Sequence, residues 1–163
     1  MKISFPLAQV KFFLFPLAGL SYAPRSNMQP DQINPFAILV AALSCFLLGG
    51  LWYSPALFGR AWMRSNGFTP DALHRGNQAV IFGLSFIAAL VMATNLAFFL
   101  ADPKTTTAWG AIAGALAGFG WVAMGIIILG LFERRSWLWI VINGGYQVIA
   151  LTLMGAILGA WRR

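Results

Sequence analysis

The sequence predicts an all-α protein, a bundle of four transmembrane helices with a short interfacial amphipathic helix after the first span. Hydrophobic residues make up 60% of the 163 residues and charged residues only 9%, whereas a typical soluble domain has roughly 25% charged residues. Long apolar segments carry no charge, and tryptophan or tyrosine residues lie at their ends. So few polar side chains cannot cover a surface that faces water, which indicates a bilayer as the solvent.

The first predicted span is the shortest, near residues 36–53. At about 1.5 Å per residue it is close to the lower limit for crossing a hydrocarbon core of roughly 30 Å. Pro35 stands just before it and suits a first helical turn, where the missing N–H leaves no intrahelical bond unmade.

The connection that follows begins with Ser54-Pro55, which is typical of an N-cap and a first helical residue. We therefore predict a short helix over residues 55–65. Asn66-Gly67 would end this helix, and a new start near Asp71 would lead into the second span.

The short helix has the pattern of a helix that lies in the membrane surface. Arg60 and Arg64 alternate with apolar residues at helical spacing, so we expect Trp62 to face inward and both arginines to face lipid phosphates. The residues predicted to anchor this region at the interface are Trp52, Tyr53, Pro55, Phe58, Arg60, Trp62 and Arg64.

Three further spans are predicted near residues 79–101, 108–132 and 137–161, none of which contains Asp, Glu, Lys or Arg. Backbone groups in lipid need partners within the segment, so these spans must be helices. The connections between them are short, which predicts an antiparallel series.

Residues 28–163 are therefore interpreted as a single four-helix membrane domain. Residues 1–27 form an N-terminal extension that has two possible interpretations. Either Met28 is the true start and the extension is mis-assigned, or the extension is an uncleaved interfacial tail. Pro24 after a possible cleavage site, and Pro16 within the apolar run, oppose a signal peptide.

The net charge of +7 comes from cations that flank the apolar blocks, as expected for residues at anionic headgroups. We therefore expect the lipid bilayer as the partner and no nucleic acid. Counted from Met28, the loops after the first and third spans carry five cations against three on the opposite face. Including the first 27 residues reverses this excess, so the orientation stays open.

The residues offer no catalytic or metal site. His74 is the only histidine, and with Asp71 one turn before it supplies two ligands where a closed site needs about four. No carboxylate pair is visible, and no nucleophile has an intramembrane base. No charge lies within the spans, which argues against ion-coupled transport and against the small multidrug exporters. We expect no enzyme activity and no cofactor.

Neutral polar side chains within the spans predict either hydrogen bonds between helices or a polar cavity. Asn143 and Gln147 are four residues apart and share a helix face. Asn95 and Asn143 differ by about 15 Å in depth within the membrane, which argues against direct contact between them. Gln147 and Ser44 both lie near mid-depth, so we expect these two side chains to pair instead. The candidate cavity residues are Asn95, Asn143 and Gln147.

Small residues repeat at four-residue spacing in the last two spans. Helices in lipid associate through close backbone approach, for which such stripes are typical. They predict contact faces either within the monomer or in a homo-oligomer. The candidate helix-packing residues are Gly110, Gly114, Gly118, Gly155 and Gly159.

The segment around the end of the first span carries a specific pattern of uncommon residues: Trp52-Tyr53-Ser54-Pro55, Phe58-Gly59 and Trp62. It resembles the opening of domain-of-unknown-function family 1761, small bacterial and fungal membrane proteins. The four-span layout agrees from about Met28 to the end. The resemblance implies a membrane location and brings no activity, ligand or catalytic residue.

These observations predict a multi-pass integral membrane protein of the bacterial inner membrane. The leading hypothesis is a non-enzymatic structural or accessory protein that acts through helix–helix contacts. The alternative is a passive small-solute carrier or a lipid-binding membrane protein lined by neutral polar residues.

Overall fold

A computed structural model describes residue 31 and residues 33–69 and 77–162. These residues form helices α1 (Pro35–Trp52), α2 (Gly59–Asn66), α3 (Gln78–Phe99), α4 (Thr107–Phe132) and α5 (Trp137–Ala160), with no strand among them. All but α2 are long and apolar enough to cross a membrane. The predicted fold class is confirmed, and the observed ends of the long helices lie within two residues of the predicted spans.

Several expectations concern residues outside this description. They are the nature of residues 1–27, the new helix start near Asp71 and the placement of His74. The expectation that this helix runs on into the second span is wrong, because the backbone of Asn77 is extended and α3 begins at Gln78.

A polar side chain fixes the start of each long helix. The carbonyl oxygens of the Asn34 and Asn77 side chains accept from the backbone N–H groups of Phe36 and Val80. The hydroxyls of Thr106 and Ser136 do the same for α4 and α5. Each cap satisfies an N–H that would otherwise lack a partner at the end of the helix.

The short helix α2 begins later than predicted. Ser54 does not cap it, because its hydroxyl donates to the Leu51 carbonyl oxygen at 2.7 Å. The chain instead turns over residues 53–58, where the Ser54 carbonyl accepts from the N–H groups of Leu57 and Gly59. The predicted start at Pro55 is therefore wrong, and the helix begins at Gly59. Its end at Asn66 agrees with the prediction, and Gly67 follows with a φ of +67°.

Helix α5 lies at the centre of the fold and contacts each of the other helices. The interior consists mainly of small side chains, including Ala41, Ala42, Ala93 and Ala150. Ile142 and Met154 are the largest fully buried side chains among the described residues. Large apolar residues face outward, and Leu47 and Phe132 are 79% and 87% exposed. Such a distribution suits a lipid environment, where close packing rather than hydrophobic burial holds helices together.

The closest packing joins α4 to α5. A methyl group added at Gly110 would collide with the Gly155 carbonyl, and one added at Gly114 with the Leu151 carbonyl. The remaining predicted packing residues lie along the same contact: Gly118 against Val148, and Gly159 against Thr106. The two glycine stripes thus face each other within one chain, and a homo-oligomer would have to use other surfaces.

Helix α4 is not a regular α-helix throughout. Its residues Thr107–Ala117 and Met124–Phe132 are α-helical, and residues Gly118–Ala123 between them form a π-helix. A π turn contains one more residue than an α turn. Beyond it, Gly130 packs against the side chain of Ile140 at the start of α5.

Replacing Gly114 by Leu should destabilise the protein, because no side chain fits between α4 and the α5 backbone. Overpacking costs about 1–3 kcal/mol, so we expect the unfolding temperature in detergent to fall by roughly 2–12 °C. Gly125→Leu is the matched control, since an added methyl group there meets no atom within 4 Å. Equal unfolding temperatures for Gly114→Leu and Gly125→Leu would contradict the close contact between α4 and α5.

Candidate functional site

Aromatic side chains from α1, α2 and α5 form a cluster at one end of the bundle. The ring centroids of Tyr53 and Trp62 lie 5.6 Å apart, and those of Tyr53 and Tyr146 lie 5.4 Å apart. Trp52 and Phe58 are closer still, at 4.6 Å. We call this group the aromatic cluster, and it contains Trp52, Tyr53, Phe58, Trp62, Phe68 and Tyr146.

Hydrogen bonds tie the aromatic cluster to α5. The Trp52 indole N–H donates to the Ile142 carbonyl at 3.1 Å. The Tyr53 hydroxyl donates to Oδ1 of Asn143 at 3.0 Å, and the Asn143 amide in turn donates to the Trp139 carbonyl. These bonds satisfy polar groups that would be costly in hydrocarbon.

A second bridge joins the end of α2 to α5. The Trp139 indole N–H donates to Oδ1 of Asn66 at 3.1 Å, and the Asn66 amide donates to the Trp62 carbonyl at 2.8 Å. The sequence indicates Asn66 only as part of a helix end and Trp139 only as one of the aromatic residues that mark a span end. The indole N–H of a tryptophan near a span end needs a hydrogen-bond acceptor. That requirement is the signal in the sequence that points to a bond from Trp139.

Gly59 permits the sharp turn that carries the aromatic cluster. A methyl group on Gly59 would collide with the Tyr53 carbonyl and lie 2.8 Å from the carbonyl of Ser54. The spacing from Trp52 to Trp62 therefore describes one structural unit: a helix end, a tight turn without room for a side chain, and a short helix packed back on the bundle.

The predicted interfacial anchors divide into two groups. Trp52, Tyr53, Phe58 and Trp62 belong to the aromatic cluster, whereas Pro55, Arg60 and Arg64 are exposed. The contact between Arg60 or Arg64 and lipid phosphates stays a prediction.

Two clefts flank α3 in the described part of the chain, because α3 packs mainly on α1 and only lightly on α5. The α1–α3 cleft has a volume of about 550 Å³. Its walls include Cys45, Phe46, Tyr53, Phe82, Ser85, Tyr146 and Gln147. The α3–α4 cleft has a volume of about 640 Å³, and its walls include Asn95, Phe99, Trp109, Ala113 and Trp121. Met92 lines both clefts, and none of the described residues that line either of them is charged.

The polar side chains of the spans differ in whether they have partners. Hydroxyls of Ser44, Thr94 and Thr152 donate to backbone carbonyls of their own helices at 2.6–2.7 Å. Asn143 is bonded in the network described above. Within the predicted spans, three hydroxyl or amide side chains make no hydrogen bond to any described residue: Ser85, Asn95 and Gln147. All three line a cleft.

The predicted polar cavity is therefore not a single cavity. Gln147 lines the α1–α3 cleft, Asn95 lines the α3–α4 cleft, and Asn143 lines neither. The expected pairing of Gln147 with Ser44 does not form, because Ser44 bonds to the Ala41 carbonyl within α1.

The family model described as "Protein of unknown function (DUF1761)" matches residues 36–159. The chain belongs to this family. The match includes the whole aromatic cluster and both clefts, and it confirms the resemblance seen in the sequence. Together with the four apolar helices, it identifies a multi-pass integral membrane protein. Searches of the curated proteins and of the solved structures found no match.

Replacing Asn143 by Leu should destabilise the protein, because it removes the acceptor of Tyr53 and the donor to the Trp139 carbonyl. Hydrogen bonds in membranes are worth about 0.6 kcal/mol on average, so the loss of two should lower the free energy of unfolding by about 1 kcal/mol. Asn95→Leu is the control, since its amide bonds to no described residue. Unfolding in mixed micelles measures the free energy of unfolding of both variants. A larger decrease for Asn95→Leu than for Asn143→Leu would refute the stabilising role of the Asn143 hydrogen bonds.

Proposed function

We propose that this protein is a non-catalytic membrane protein that binds a neutral, mainly apolar molecule from the bilayer in the α1–α3 cleft. The observation that carries the proposal is the placement of Gln147 and Ser85. Both side chains lie inside apolar spans, line the same cleft and have no partner among the described residues. A polar group left without a partner in hydrocarbon costs several kcal/mol, so a bound group that satisfies both would stabilise the complex.

The size and lining of the cleft support this class of ligand. Its volume of about 550 Å³ is within the range of roughly 300–1,000 Å³ typical of small-molecule sites. The walls are mostly apolar, and the described residues that form them carry no charge. A charged group at this depth would have no counter-ion, and burying it would be expensive. We therefore propose a neutral molecule with hydroxyl or carbonyl groups as the ligand of this cleft. The four apolar spans support a multi-pass membrane protein, and a bacterial inner membrane is its proposed location.

The close α4–α5 packing favours a second role, that of a structural or accessory protein. The α4–α5 pair offers a rigid unit to which a partner helix, or a second copy of the chain, could bind through the outward-facing surfaces. This role needs no ligand in the clefts, so ligand labelling separates the two proposals.

Labelling in lipid nanodiscs with a long-chain alcohol that carries a photoreactive diazirine tests ligand binding. We expect labels to concentrate on residues of the α1–α3 cleft and unlabelled alcohol to compete for them. Gln147→Leu should reduce this labelling about tenfold, which corresponds to about 1.4 kcal/mol.

Thr94→Val is the matched control for labelling, because the Thr94 hydroxyl already donates to the Leu90 carbonyl and does not line the α1–α3 cleft. It should leave the labelling unchanged. Labels spread evenly over the outward-facing surfaces, with no effect of Gln147→Leu, would refute ligand binding and leave the structural role.

A further inference from the structure

We infer that the ligand of the α1–α3 cleft is a neutral ring with carbonyl oxygens on a long apolar tail, the chemistry of an isoprenoid quinone. The ring would lie in the α1–α3 cleft, and the tail would pass Met92 into the α3–α4 cleft. This inference rests on the proposed function and adds the class of ligand and its orientation.

The free donors of the α1–α3 cleft suit a ligand that offers acceptors. The Tyr146 hydroxyl donates to the Cys45 carbonyl, and the Tyr53 hydroxyl donates to Asn143, so neither proton is free. The unused donors are the Ser85 hydroxyl on α3 and the Gln147 amide on α5. They lie on different helices that form walls of one cleft. A ring with carbonyl oxygens on opposite edges offers an acceptor to each.

The other walls suit a flat ring. Phe46 and Phe82 both line the cleft with ring centroids 6.5 Å apart, and Tyr53 and Tyr146 line it with centroids 5.4 Å apart. Aromatic faces and edges pack favourably against another flat ring in offset or edge-to-face geometry. A simple alkyl alcohol uses the free hydrogen-bonding groups but gains nothing from these aromatic walls.

The depth of the polar groups argues against a phospholipid. Ser85 lies seven residues into α3, which begins at Gln78, and Gln147 lies ten residues into α5, which begins at Trp137. At 1.5 Å per residue they are about 10 and 15 Å below the same face of the bundle. A phosphate headgroup stays at the interface, where it is hydrated. A small neutral head dissolves at the depth of Ser85 and Gln147.

The proposed path of the tail runs along Met92, the residue that borders both clefts. An unbranched methionine side chain adapts readily to a flexible neighbour. Beyond Met92, the α3–α4 cleft offers about 640 Å³ lined mostly by apolar side chains. A head held by Ser85 and Gln147 can therefore place its tail in this second cleft.

The experiment compares the full-length protein in detergent with two probes, a benzoquinone ring with one isoprene unit and the same ring with four units. Binding is followed as the rise in unfolding temperature with probe concentration. We expect both quinones to bind more tightly than a long-chain alcohol, and the longer-tailed quinone to bind more tightly than the shorter one. Gln147→Leu and Ser85→Ala should each weaken quinone binding about tenfold.

The variant Met92→Trp tests the path of the tail. A tryptophan at this position enlarges the side chain that borders both clefts. It should therefore weaken binding of the four-unit quinone more than that of the one-unit quinone and abolish the advantage of the longer tail. Thr94→Val should change neither affinity. An equal loss for both quinones in Met92→Trp would overturn the assigned path of the tail.

Two other outcomes separate this inference from the proposed function. Alcohol binding that depends on Gln147, without any preference for quinones, would overturn the ring assignment and keep the proposed function. Failure of both quinones and alcohol to bind would overturn both.

Discussion

The close approach of the α4 and α5 backbones determines much else in this structure. A carbonyl of one helix occupies the space where the other would carry a Cβ atom, so the two helices form one unit. Helix α5 then serves as the support on which α1 and α2 pack through the aromatic cluster. Helix α3 has no comparable contact with this unit, and it rests mainly on α1. The clefts result from the light packing of α3 on α5. Because α3 is held mainly by α1, space remains between α3 and the α4–α5 unit.

The spans could be predicted because the signal for them is local. Absence of charge over some twenty residues decides membrane insertion without knowledge of the neighbours. The glycine stripes could also be identified, since close packing in lipid requires small residues at fixed spacing. Their partner could not, because spacing alone does not tell a contact within the chain from one between copies.

The candidate site depends on features that are not local. Whether Gln147 finds a partner depends on how far α3 stands from α5, and helix tilt is set by packing between helices. The turn after Trp52 was misassigned for a similar reason. Ser54-Pro55 is typical of a helix start, but here the Ser54 hydroxyl bonds back to the Leu51 carbonyl, and a tertiary contact at Gly59 decides where α2 begins. Nothing in residues Gly118–Ala123 distinguished a π-helix from an α-helix.

The π-helix in α4 corrects the rotational phase of the glycine stripe. From Gly118 to Gly130 are twelve residues, which at about 100° each would place Gly130 about 120° away from the stripe in a regular helix. The extra residue held in the π turn reduces the effective count to eleven, and the offset to about 20°. Gly130 therefore points back at α5, where it meets Ile140. One inserted residue lets a straight span keep a single face towards its neighbour over its whole length.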